Sequence, residues 1–198
     1  ERYYRENGFL KARINSNVDS IANLVDVTFE IEEGEPSYFT KEDSLSVDNP
    51  ILAEHVNSYI KENSIIRPMG RLNLALLKKE KEQLSHHLRN EGYYYFSPDA
   101  VGIRINDIKD TTLRHISLYY KIPEFKNHSI IANYDRLYRI GVPEFSISDP
   151  FGNPAEHPPL KILAKLINLH EDDLYSVDLF NQSLKNIYLT DQFMKVVL

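Results

Sequence analysis

The 198-residue sequence contains no cysteine and no tryptophan. Without thiols there is no disulfide, no thiolate metal site and no cysteine nucleophile. Its glycines build no phosphate-cradling loop: Gly70, Gly141 and Gly152 stand isolated, and no G-x-S-x-G elbow occurs. No apolar run approaches the roughly 20 residues that a membrane helix requires. Positive charge is also short. Lys and Arg number 23 against 29 Asp and Glu, a formal net charge of -6, so the basic footprint that nucleic-acid phosphates demand is missing. The cations are dispersed, which argues against a basic membrane patch. The chain opens at Glu1 with no methionine and no secretory signal. It reads as a fragment or a processed product, in which a missing signal is uninformative.

Chemistry-bearing residues are present but not arranged for chemistry. His86 and His87 are adjacent on a helical stretch and so point to different faces, and no H-E-x-x-H spacing exists. His55, His115, His128, His157 and His170 are scattered. Glu30, Glu32, Glu33 and Glu35 include the wet face of a strand. Glu171, Asp172 and Asp173 precede a helix cap, where negative charge is favourable. Neither set has the spacing of a calcium loop. The expectation is no catalytic residue, no cofactor, no metal site and no enzyme.

What the sequence does have is a period that switches between two and 3.6 residues. Val25, Val27, Phe29 and Ile31 alternate with Asp26, Thr28, Glu30 and Glu32, a strand with one wet face. Ala12 and Ile14 form a shorter alternation before it. The residues between, 15–20, are Asn-, Ser- and Asp-rich and read as the hairpin turn. Residues 1–8 look like the end of a helix stopped by Gly8. The same order returns later. Leu74, Leu77, Leu84 and Leu88 share a face of a helix over 73–90, with Lys81 bridging the gap. Gly92 stops it. Tyr93, Tyr94, Tyr95 and Phe96 open a long strand, broken at Ser97-Pro98-Asp99, that runs on to Asn106. A second strand carries Ile116, Leu118, Tyr120 and Ile122. Upstream, Ser37 to Val47 reads as a strand. Asn49-Pro50 begins a helix bearing Leu52, Val56, Tyr59 and Ile60, and Pro68-Met69-Gly70 is an inter-helix turn. A third copy starts strand-like at 137–147, loops through Gly152, Pro154, Pro158 and Pro159, and shows helical faces at Leu160, Leu163, Leu166 and Ile167 and, after the Ser176 cap, at Leu179, Leu184, Ile187 and Tyr188.

Recurrence is the decisive feature. Arg5-Glu6-Asn7-Gly8-Phe9 matches Arg89-Asn90-Glu91-Gly92-Tyr93 in type and place; Thr190-Asp191-Gln192-Phe193 stands there in the third copy, without glycine. A β-α-α-β-β unit whose second helix ends in Gly-aromatic resembles the POTRA (polypeptide-transport-associated) domain, and the long interrupted strand after Gly92 resembles modules of the BamA/TamA family. The expected fold is α+β: tandem modules, each a three-stranded mixed sheet covered by two antiparallel helices. The expected organisation is 1–35, the C-terminal part of one module; 36–124, a complete module; and 125–198, a module lacking its closing hairpin. The link at Gly34 to Pro36 is short, and that at 125–133 longer, so the third module is expected to swing more.

The resemblance also implies a role. In such modules the last strand is central and the second is an edge, which offers backbone groups to an added strand with little sequence specificity. Here that edge is Val101, Gly102, Ile103, Arg104, Ile105 and Asn106, with Val101, Ile103 and Ile105 facing inward and Arg104 guarding the edge. Tyr94 and Tyr95 are candidate aromatic contacts. The implied setting is the periplasmic face of a Gram-negative outer membrane, in a protein that continues into a membrane β-barrel. The implied partners are unfolded outer-membrane proteins and periplasmic or lipoprotein accessory factors, not nucleic acid. The rival readings are a structural or adhesion-type α/β repeat of a surface protein and a small enzyme domain.

Overall fold

The structure, a computed structural model, describes residues 1–39, 44–109, 114–122, 134–147, 151, 153 and 160–190. The chain divides into two compact units. One comprises Glu1–Leu84 with Pro98–Glu124, the other Ser85–Ser97 with Phe125–Leu198.

In the first unit, helix α1 (Arg2–Glu6) ends at Gly8, whose φ of +94° is open to glycine and strained for any other residue. Strands β1 (Arg13–Ile21) and β2 (Leu24–Glu32) follow as an antiparallel hairpin, paired from Arg13 opposite Glu32 to Ile21 opposite Leu24. The turn is therefore Ala22 and Asn23, not residues 15–20. Ala22 takes a φ of +55° there without help from glycine. Asn15, Ser16, Asn17, Asp19 and Ser20 tolerate the strand because all are exposed, so their polarity costs nothing. One face collects Ile14, Val18, Val25, Val27, Phe29 and Ile31 by register.

The rest of this unit is a mixed sheet with helices. Strand β6 (Arg114–Ile122) has two long edges. Strands β3 (Ser37–Phe39) and β4 (Ser44–Val47) pair with it in parallel, at Arg114 to Ile116 and at Tyr119 to Ile122. They take one edge between them, so antiparallel β5 (Gly102–Lys109) holds the other. The single strand expected from Ser37 to Val47 is thus two strands, with 40–43 outside the described residues. Helix α2 (Pro50–Glu62) starts as the sequence indicates: Asn49 Oδ1 accepts from Ile51 and Leu52, and Pro50 occupies the first turn. It lies against β4 and buries Leu52, Val56 and Tyr59. Helix α3 (Leu74–Asn90) is capped by Asn73, which accepts the Leu76 N–H at 3.1 Å. Its buried face departs from the expected leucine stripe. Leu77, Leu84 and Leu88 are buried, Leu74 is exposed, and Glu80 and Ser85 are fully or nearly buried beside them.

The second unit opens on the last turn of α3 and Gly92, at φ +103°. Residues 93–96 are not strand. The Tyr94 N–H returns to the Gly92 carbonyl and the Phe96 N–H to that of Tyr93, so the chain turns. A 3-10 turn at Pro98–Ala100 follows, and strand begins only at Gly102. Four aromatics in a row favour strand by propensity, but turn bonds and burial of Tyr93 and Phe96 override it. Helices α4 (Leu160–Leu163) and α5 (Val177–Tyr188) bury Leu163, Val177 and Ile187. Residues 141–147 are irregular rather than strand; upstream, Arg139 forms a bridge with Leu174. In the first unit β3 and β4 exist because β6 pairs with them. No counterpart of β6 lies among the described residues of the second. The expected loop glycine and prolines at 152, 154, 158 and 159, and the link 125–133, lie outside the described residues.

The two units repeat each other bond by bond. Phe39 donates to Gly70 O and accepts from Met69; Ile140 donates to Asp173 O and accepts from Asp172, all at 2.8–2.9 Å. Met69 and Asp172 hold the same left-handed conformation, φ +63° and +68°. The bridges Tyr38–Arg71 and Arg139–Leu174 occupy equivalent places.

Candidate functional site

Strand β5 is the first candidate. Its eight residues pair with β6 along their whole length, Gly102 opposite Lys121 to Lys109 opposite Arg114. Among the described residues no strand pairs with its other edge. In an antiparallel ladder successive residues turn their N–H and C=O groups alternately toward and away from the partner. Every second residue of β5 therefore presents an unpaired backbone donor and acceptor outward. Val101, just before the strand, is 1% exposed, while Gly102 is exposed. The expected inward set at Ile103 and Ile105 and the outward Arg104 and Asn106 concern side chains outside the described ones.

The second candidate is a tyrosine cluster in the second unit. Tyr93 and Phe96 are buried, and Tyr94 and Tyr95 are exposed. Tyr94 packs edge-on against Tyr95 and Tyr175, with centroids 4.8 and 4.7 Å apart, and Tyr95 against Tyr138 at 5.2 Å. Edge-to-face geometry sets the positive rim of one ring on the negative face of the next. The rings form one wall of an open cavity of about 490 Å³, also lined by Ile140, Ile167 and Phe180. Sequence reasoning picked out Tyr94 and Tyr95 but missed Tyr138, Tyr175 and Phe180. The signal available was the tyrosine two residues into the third copy; its register against Gly92 is a tertiary fact.

Two phenols have altered chemistry. Burial pushes the Tyr93 hydroxyl up to about 12, with the charges of Asp135 and Glu91 adding to it. Tyr59 is raised as well, first by burial and then by the Glu80 carboxylate. Both shifts keep the phenol neutral at ordinary pH, which suits packing rather than proton transfer. Among the described residues no three His, Asp or Glu side chains gather where they could hold a metal ion. His86 lies 3.1 Å from Asp178, and His170 3.2 Å from Asp173. No described helix is long and apolar enough to cross a membrane.

No protein-family model matches the chain, and no curated protein matches it significantly. Solved structures do. Against the crystal structure of Haemophilus influenzae BamA POTRA3-5 the TM-score is 0.50 at 14% identity, over 98% of this chain and 68% of that one. POTRA1-3 of the periplasmic domain of Omp85 from Anabaena align over 98% of this chain and 69% of theirs at 13% identity, with a TM-score of 0.35. The fold is a mixed α+β fold, that of POTRA domains. The particular likeness that carries this is to POTRA3-5 of Haemophilus influenzae BamA.

Proposed function

We propose that the chain is a non-enzymatic binding arm on the periplasmic face of a Gram-negative outer membrane, part of a BamA-like assembly factor. It takes up unfolded outer-membrane proteins, or periplasmic and lipoprotein accessory factors, by strand addition to β5 at Val101, Gly102, Ile103, Arg104, Ile105 and Asn106. Tyr94 and Tyr95 contribute aromatic contacts. The observation that carries the reading is the open edge of β5. Backbone bonds give affinity without demanding a particular sequence, which suits a factor with many clients. The POTRA fold supports the setting, since the structure it resembles is POTRA3-5 of Haemophilus influenzae BamA.

The alternation along β5 supplies the test. Of Arg104→Pro and Ile105→Pro, one removes an outward donor and the other a bond to β6. The outward variant should keep a native circular dichroism spectrum and lose binding of unfolded barrel-protein peptides. The inward variant should lose structure. If the natively folded variant binds those peptides as tightly as the parent, docking lies elsewhere.

A further inference from the structure

The first N–H groups of any helix lack partners within it. In α5, Ser176 Oγ accepts the Leu179 N–H at 3.3 Å. The Asp178 N–H is accepted at 3.0 Å by Oδ1 of Asn90, a residue of the last turn of α3. That same Oδ1 accepts the Ser176 hydroxyl at 2.9 Å, and Asn90 Nδ2 donates to the Asp178 carboxylate at 2.7 Å. Three bonds thus converge on one amide. Beside them, Arg89 donates to the Tyr175 hydroxyl at 3.1 Å, and His86 meets Asp178. A backbone relay runs under the clasp: Tyr138 donates to the Gly92 carbonyl at 2.8 Å, and Tyr175 to the Tyr138 carbonyl at 2.9 Å.

The first unit has the same relay, from Ser37 to Gly8 O at 2.9 Å and from Leu72 to Ser37 O at 2.8 Å. Its side-chain clasp is different. Asn73, which caps α3 as Ser176 caps α5, reaches Asn7 through one contact at 3.5 Å. The equivalent junctions therefore share a backbone and differ in the side chains that close them.

We propose that Asn90 is a coupling cap: it makes the start of α5 depend on the docked last turn of α3, and it makes this junction the stiffer of the two. The junction of α1 with β3 and α3, closed by the long Asn7–Asn73 contact and by Arg71 lying 5.4 Å over the Phe9 ring, is the one that yields. Linker length argues the reverse, because the longer link 125–133 belongs to the stiff junction. Each clasp bond is partly or fully exposed and weak singly. Their joint action comes from a shared amide that cannot satisfy Ser176 and Asp178 unless α3 is in place.

The experiment is a polarity exchange read by nitroxide pairs at His87 and Gln182. The parent should give a narrow distance distribution. Asn90→Ala should broaden it and speed hydrogen exchange at the Asp178 amide about five- to tenfold, the loss expected of one hydrogen bond. Asn90→Asp sets two carboxylates against each other and should broaden it further. The double variant N90D/D178N restores a donor facing an acceptor and should narrow it again. A distribution in Asn90→Ala as narrow as the parent's, or a double variant no narrower than N90D, overturns the proposal. Should Asn90→Ala not fold, the comparison of N90D with N90D/D178N decides alone.

Discussion

Asn168 donates its backbone N–H to the hydroxyl of Ser183 at 2.8 Å. In the first unit Ile65 donates the equivalent N–H to the Glu80 carboxylate at 2.9 Å. Glu80 and Ser183 are each 0% exposed. A buried acceptor on the second helix thus ties down the segment that leaves the first, and the repeat keeps the bond while changing the group. Ser183→Ala leaves that N–H without its acceptor, so the expected loss in urea denaturation is about 1–3 kcal/mol. Glu80→Gln, which keeps a carbonyl oxygen, should cost less than Glu80→Leu. Equal losses for Gln and Leu would show that packing, not the accepted bond, fixes this position.

Gly8 and Gly92 end equivalent helices in left-handed conformations, yet they face different neighbours. A β-carbon at Gly8 would stand 2.6 Å from the Leu72 carbonyl oxygen, which is backbone and cannot step aside. At Gly92 it would meet the tips of Leu137 and Leu174 at 3.2 Å, and those can turn. Both alanine variants carry the left-handed penalty of roughly 1–2 kcal/mol. Gly8→Ala should lose clearly more than Gly92→Ala, measured as the difference in urea midpoints at constant slope.

Much of this was written in local sequence. Asn49 and Pro50, Asn73 and Ser176 mark helix starts that the structure keeps, because caps act within a few residues. Gly8 and Gly92 mark helix ends for the same reason. What failed was decided at a distance. Asn15 to Ser20 look like a turn, but pairing with β2 makes them strand. Tyr93 to Phe96 look like a strand, but turn bonds and the burial of two rings hold them otherwise. Residues 141–147 have strand composition and no described partner to pair with. The β5 edge was legible as an alternating stretch. The tyrosine cavity was not, since Tyr138 and Tyr175 reach Tyr94 only through the fold.

The raised phenols make stability depend on alkaline pH. Tyr93 ionises at about 12 in the folded chain, against about 10 in an unfolded one. The stability this represents is fully present below pH 10 and drains away as pH rises from 10 toward 12. Tyr59 shifts in the same direction and steepens the loss. Ultraviolet titration of the parent against Tyr93→Phe should assign to Tyr93 a phenolate step near pH 12. Tyr93→Phe should flatten the fall above pH 10; an unchanged slope would contradict the assignment.

Strand addition at the open edge of β5, proposed above, has a direct readout. Amide hydrogen exchange along Gly102–Lys109, measured with and without a saturating unfolded barrel-protein peptide, reads it residue by residue. Amides bonded to β6 are protected in both states. Every second amide of β5, fast in the free chain, should become slow when peptide is bound. Peptide binding that leaves those alternate amides fast, and slows others instead, would contradict strand addition.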